Sequence, residues 1–398
     1  MSDQPLEPQA AADARRGISG LAAYLPHWRL QRSAITQVLG SSAGKGTRTV
    51  ASYDEDSVTM AVEAGRRARR GTNGRVDTLW FASTTGPYAE KTAAPLVHAA
   101  LRLDGGDGLT AAFAPGAGMV GVSLRDGDDE LLGQRHGLAA YAREYRTMGI
   151  PLLHPWANRL DRDEIAVAGG TIALRDGAVG LHRDPNGLAI HGLLAGLPEW
   201  ILAEQEGAAF SATFDFGAHP ELLATFPFPH ELRLDVALRG RTLRIATTVT
   251  PTGDCPVPLA YGFHPYLTLP GVPRERWLVE LPACSRLALD ARAIPTGATQ
   301  AQPPTAVELA DRAFDDAYVG VADGALFALS DPDDGRRIEV TFEHGYAAAQ
   351  VYAPLSEPVV CFEPMTAPTN ALVSGESLRL AGPGAAATAA FSIAVPRN

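Results

Sequence analysis

Beyond residue 105 the chain is a succession of short runs in which apolar and polar side chains alternate. Leu232-Arg233-Leu234-Asp235-Val236-Ala237-Leu238 is followed closely by Thr242-Leu243-Arg244-Ile245-Ala246-Thr247-Thr248-Val249, and similar runs stand at 277–281, 337–342 and 347–352. A period of two places successive side chains on opposite faces of a strand. Runs this short, spaced at sandwich-like intervals, predict large antiparallel sheets with one face in a core. The 40 glycines and 30 prolines scattered between them supply the turns that such sheets need. Helical candidates in this part are few, at 132–142 and 199–204.

The first hundred residues read differently. Asp54-Glu55-Asp56 offers an N-cap and first-turn carboxylates for a helix over 57–70, whose last turn carries Arg66, Arg67, Arg69 and Arg70 before Gly71. Acid at the start and base at the end suit the helix dipole. Thr78-Leu79-Trp80-Phe81-Ala82 then reads as a buried strand. Charge shifts too: residues 1–104 hold 13 Lys+Arg against 10 Asp+Glu, and the remainder 21 against 35. Asp104-Gly105-Gly106-Asp107-Gly108 marks the expected boundary between a partial α/β segment, 1–104, and a mainly β domain, 105–398.

A net charge of −11 argues against nucleic acid or an anionic membrane surface as partner. No stretch approaches the roughly 20 apolar residues of a membrane span. Cys255, Cys284 and Cys361 are odd in number and lack metal-ligand spacing, which suits reduced thiols in a cytoplasmic protein. Residues 1–16 lack the apolar core of a secretory signal. Monomer and homodimer both stay open.

Two groups carry chemistry. His264 sits in the Pro-flanked segment Tyr261-Gly262-Phe263-His264-Pro265-Tyr266, and Glu363 closes the apolar run Val359-Val360-Cys361-Phe362. Histidine titrates near neutrality, and a carboxyl desolvated by Val360, Phe362 and Met365 gains proton affinity. Together they make an acid/base pair suited to a sugar ring. A metal on His191, His264 and Glu363 is the rival reading, but no H-x-H or H-x-x-x-H spacing supports it. No cofactor is expected.

From 116 to 395 the chain resembles the aldose 1-epimerase (galactose mutarotase) family. The motifs stand in the family's order: Gly118-Met119-Val120, Ser123-Leu124, Pro155-Trp156-Ala157-Asn158-Arg159, Asn186-Gly187-Leu188-Ala189-Ile190-His191-Gly192, Gly262-Phe263-His264-Pro265-Tyr266, Phe314-Asp315-Asp316-Ala317-Tyr318, Gln350-Val351-Tyr352 and Phe362-Glu363-Pro364. The resemblance implies a large antiparallel β-sandwich of the galactose mutarotase-like supersandwich type, with a small-molecule sugar across one open face. It also implies metal-free interconversion of α and β anomers. Glu363 then matches the general base, His264 the acid that protonates the ring oxygen, and His191 a second histidine near that oxygen. Arg159, with Asn158 beside it, matches a donor to sugar hydroxyls, a structural ion pair being its other reading. Asp315 matches an acceptor for a pair of hydroxyls, with Asp316 as the neighbouring candidate, and Gln350 a polar residue beside the base. A hexose-6-phosphate epimerase and a non-catalytic sugar-binding protein are the alternatives.

Residues 17–104 resemble the start of a 3-hydroxy-3-methylglutaryl-CoA synthase of the thiolase-like group. The resemblance runs through Gly17-Ile18-Ser19-Gly20, Tyr53-Asp54-Glu55-Asp56-Ser57-Val58-Thr59-Met60, and Phe81-Ala82-Ser83-Thr84-Thr85. The family's basic glutamate falls at Thr84, and its nucleophilic cysteine belongs beyond residue 104, where the chain has changed family. Without a thiolate there is no acyl-enzyme, so this segment is expected to be truncated and non-catalytic.

Overall fold

The computed structural model describes residues 21–40, 44–52, 55–70, 97, 101, 108–206 and 208–397. The chain separates into two compact units, Met1–Gly106 and Asp107–Asn398.

In the first unit the strands Trp28–Gln31 and Thr47–Val50 pair antiparallel, with the helix Arg32–Leu39 between them in sequence. The charged helix runs over Ser57–Arg69. Asp56 caps it by accepting from the Thr59 N–H at 2.7 Å, while the Thr59 hydroxyl accepts from the Asp56 N–H at 2.8 Å. This reciprocal capping box satisfies donors the first turn leaves open. Glu55 turns back to accept from the Ser52 N–H instead of entering the first turn. Val58 and Val62 meet Val97 and Leu101 in a small core. The expected strand at 78–82 and Thr84 lie outside the described residues.

The second unit is a β-sandwich. Its nine-stranded sheet runs in the order Ile201–Glu206, Ala209–Asp215, His230–Arg239, Thr242–Pro251, Ala387–Ala394, Arg337–His344, Ala325–Ser330, Leu278–Leu281, Thr305–Glu308. The other sheet runs Pro295–Gln302, Cys284–Leu289, Phe314–Val319, Ala348–Ala353, Val360–Met365, Gly262–Phe263, Leu152–Leu153, and Tyr266–Leu267 also pairs with Val360–Met365. All the pairings in both sheets are antiparallel. Rings from the two sheets meet between them, Phe362 on Phe327 at 5.5 Å and Phe263 on Phe391 at 5.0 Å. Trp156 and Trp200 are buried in the same core.

Two expected helices need correction. Residues 201–206 form a strand, because Ile201–Glu206 pairs in register with Ala209–Asp215 as a hairpin with a bulge at Leu202/Glu204. Hairpin pairing overrides a helix propensity that had no packing face to support it. The helix expected at 132–142 begins only at Leu138 and runs to Glu144. Leu132 bridges Leu267 instead, and Gly133 lies so close to Val359 that a Cβ there would stand 2.7 Å from its Cγ1.

Candidate active site

Strand parity builds the floor of the site. Along Val360–Met365, Val360 and Phe362 enter the core between the sheets, so Cys361, Glu363 and Met365 take the other face. Only Met365 of the three expected apolar neighbours shares that face with Glu363. Gln350 pairs directly with Glu363, Ala317 with Gln350, and Asp315 lies two residues along from Ala317. Asp315, Gln350 and Glu363 therefore line one face of three adjacent strands. Asp316 points the other way and bonds Arg286 at 2.5 Å, which places Asp315 rather than Asp316 on the open face.

The wall comes from a short hairpin in which Arg159–Leu160 pairs with Ala189–Ile190. His191 follows with φ +64°, and the Asn158 N–H donates to its Nδ1 at 3.3 Å. That bond makes Nδ1 the acceptor and leaves the proton on Nε2. Gly192 follows with φ +75°, and a Cβ there would fall 2.2 Å from the His154 carbonyl oxygen, so no larger residue fits.

Asn158, Arg159, Ile190, His191, His264, Tyr266, Asp315, Gln350, Tyr352 and Glu363 together line a cleft of about 150 Å³. Every site residue expected from the sequence is among them. His264 Nε2 lies 3.2 Å from Glu363 Oε1. Its ring stacks on Tyr266 at 4.3 Å with 10° between planes, and its Nε2 is 3.3 Å from the Tyr266 hydroxyl. Glu363 is 1% exposed, and its Oε2 has no hydrogen-bond partner among the described residues. Gln350 Nε2 donates to Asp315 Oδ1 at 2.6 Å, while its own Oε1 is buried without a partner among them.

Burial, with Asp315 nearby, raises the Glu363 carboxyl well above the usual range, Arg159 pulling the other way. Burial and then Arg135 bring His264 down to about 3. Burial and His264 hold His191 well below its ordinary value. Each isolated charge is disfavoured, which favours a neutral carboxyl beside a neutral imidazole, one proton across the 3.2 Å pair.

Arg159 forms the structural ion pair that was its other reading and also faces the cleft. It lines the cleft, yet its Nε donates to Asp184 Oδ2 at 2.7 Å and its Nη1 to Asn158 Oδ1 at 3.1 Å. Asp184 also accepts the N–H groups of Asn186 and Leu188 at 2.9 Å. Sequence reasoning missed Asp184, although Asp-Pro-Asn-Gly is a recognisable Asx-turn signal. Tyr352 stood in a motif but was given no role in the cleft, and the support behind Tyr266 comes from distant segments that leave no local pattern. His154 and His230 form a buried pair at 2.8 Å away from the cleft.

The family model described as aldose 1-epimerase matches residues 99–379. Solved structures agree on the fold. A Clostridium acetobutylicum galactose mutarotase-like protein covers 73% of this chain and 94% of its own at 17% identity, TM-score 0.63. A Synechocystis sp. PCC 6803 protein covers 73% and 95% at 24% identity, TM-score 0.58. Galactose 1-epimerase from Lactobacillus acidophilus NCFM covers 73% and 92% at 13% identity, TM-score 0.57. The other resemblance is to hydroxymethylglutaryl-CoA synthases. That of Pyrococcus furiosus is 33% identical over 21% of this chain and 25% of its own length. That of Methanocaldococcus jannaschii is 35% identical over 31% and 39%. The chain thus spans between a quarter and two-fifths of these relatives.

Proposed function

This chain belongs to the aldose 1-epimerase family, and from that premise we propose that it interconverts the α and β anomers of a free aldose through Glu363 and His264. The observation that carries the reading is the state of Glu363: buried in the cleft wall, opposite an imidazole at 3.2 Å, and with Oε2 unpartnered among the described residues.

A sugar hydroxyl donating to Oε2 stabilises the carboxylate. The proton the pair shares then moves to His264. Glu363 takes the proton of the C1 hydroxyl, His264 gives one to the ring oxygen, and the C1–O5 bond breaks to leave an open aldehyde. Rotation about C1–C2 presents the other carbonyl face. Ring closure runs the transfers backward, with His264 as base and the protonated carboxyl of Glu363 as acid. His191 Nε2–H is free to donate to the ring oxygen. The Arg159 protons not used by Asp184 and Asn158, with the second oxygen of Asp315, are available to the ring hydroxyls. The first unit takes no part: its segment resembles a thiolase-like start without the residues for acyl transfer.

Proton NMR of freshly dissolved single anomers, across several aldoses and their 6-phosphates, tests this. The expected result is faster equilibration of at least one free aldohexose or pentose, unchanged by EDTA. Acceleration of 6-phosphates alone replaces the reading with a sugar-phosphate epimerase, chelator sensitivity reversed by zinc with a metal enzyme, and binding without acceleration with a sugar-binding protein.

A further inference from the structure

A chain of contacts leads away from the back of His264. Arg135 grips Glu357 with two bonds, Nε to Oε2 at 2.7 Å and Nη2 to Oε1 at 2.9 Å. Its Nη1 donates to the Tyr266 hydroxyl at 2.9 Å and to the Thr147 carbonyl at 3.1 Å, and its guanidinium carbon lies 4.7 Å from the Tyr266 ring centre. Thr147 Oγ1 is 2.5 Å from the same Tyr266 hydroxyl. Tyr266 in turn stacks on His264. A bidentate guanidinium is a rigid clamp, and its planar charge suits an aromatic face. Arg135 itself has φ +43°, a left-handed conformation that a non-glycine residue adopts only when its surroundings hold it there.

We propose that Arg135, anchored by Glu357, is a positioning residue that acts through Tyr266 to hold the His264 ring in register with Glu363 and to set a fixed positive charge behind it. The inference rests on the assignment of His264 and Glu363 as the proton-transfer pair. Its first consequence is geometric. The imidazole must keep Nε2 near Glu363 while a sugar enters, and a misplacement of about 1 Å costs on the order of 10²-fold in rate. The second is electrostatic. Arg135 favours loss of the proton that Glu363 and His264 share. Among the described residues the other titratable groups facing this pair are Tyr266, Tyr352 and His191 around the imidazole, with Arg159, Asp315 and the buried Cys361 thiol against Glu363. Arg135 is the cation on the imidazole side whose partner can be neutralised without touching the cleft.

The test uses the full chain in four forms, wild type, Arg135→Met, Glu357→Gln and Tyr266→Phe, each checked for native circular dichroism. Nitrogen-15 NMR of the His264 ring follows loss of the shared proton, independently of turnover. Arg135→Met is expected to move that midpoint up by about one pH unit, and Glu357→Gln, which leaves the cation uncompensated, to move it down. Where epimerase activity is present, the alkaline limb of kcat/KM moves with the NMR midpoint. Tyr266→Phe keeps the stack and loses the hydroxyl, so kcat falls about tenfold with little change in KM. Midpoints that coincide in all forms, or that move the same way in Arg135→Met and Glu357→Gln, overturn the inference. Absence of epimerase activity in the wild type overturns the functional assignment instead, and the NMR midpoints then still report on the Arg135 charge.

Discussion

A carboxylate in Val360–Met365 faces either the space between the sheets or the open side, and position 363 has the parity of the open side. Sequence alone could see that a glutamate ended an apolar run, and could match it to a base. It could not see which neighbours enclose it, because Phe362 turns to Phe327 in the other sheet. Glu363→Gln and His264→Asn are each expected to lower kcat by about 10²–10⁴-fold, the worth of a positioned acid or base. Steady-state anomerisation kinetics check this, and near-normal turnover of either variant rejects the pair. Arg159 is a different case. Its removal takes donors from the cleft and leaves the Asp184 carboxylate, 2% exposed, with two backbone N–H groups among the described residues. Arg159→Ala should raise KM with a smaller effect on kcat, and also cost about 2–4 kcal/mol of stability. Urea melts beside the kinetics separate the two effects, and a variant of unchanged stability shows that Asp184 does not depend on Arg159.

At the scale of elements, alternation was legible wherever a strand has one face in the core. Val236, Leu234 and Leu232 bury while Arg233 and Asp235 do not. It failed at 199–204, where Ile201 and Leu202 are 67% and 50% exposed in the end strand of the nine-stranded sheet. No buried face imposes a period there, so only the pairing partner at 209–215 defines the strand. Short strands such as Arg159–Leu160 and Ala189–Ile190 were likewise visible only as motifs, being too brief to show any period. An apolar end strand is a template for association. Ile201→Lys should therefore reduce concentration-dependent light scattering and leave kcat unchanged. Equal scattering in both proteins means this edge is not the sticky one.

Across the described residues, His154, His230 and His264 are buried and His182 and His191 half-buried. His264 is brought to about 3 and His230 to about 4, both mainly by burial, and burial also lowers His154, His182 and His191. His230 Nδ1–H donates to the Phe228 carbonyl at 2.6 Å, so its Nε2 accepts from His154 and has no room for a second proton. Between these values and about 6.5 the unfolded chain holds more protons, so stability falls as pH drops through that window. Each histidine contributes up to about 1.4 kcal/mol per pH unit. Glu363 and Glu130, raised by burial, act in the opposite sense above the ordinary carboxyl range, but among the described residues they are two against five. Tm measured from pH 8 to 4.5 should decline steeply below 6.5; a flat profile contradicts the burial of these rings. The division into two units has its own expectation. All residues of the cleft lie beyond Gly106, so a protein of residues 105–398 should keep native circular dichroism and full activity. An inactive product makes the first unit part of the working fold.

Under the proposed mechanism, the 3.2 Å contact between Glu363 and His264 also governs how the site resets. Opening the ring leaves Glu363 protonated and His264 neutral, which is the same proton count with the proton on the other partner. Closing it on either carbonyl face restores the starting arrangement. On that mechanism a proton is lent and returned inside one pair, so a complete cycle takes none from bulk water and waits on no buffer molecule. The two anomers thus meet a site with no chemical memory of which one entered.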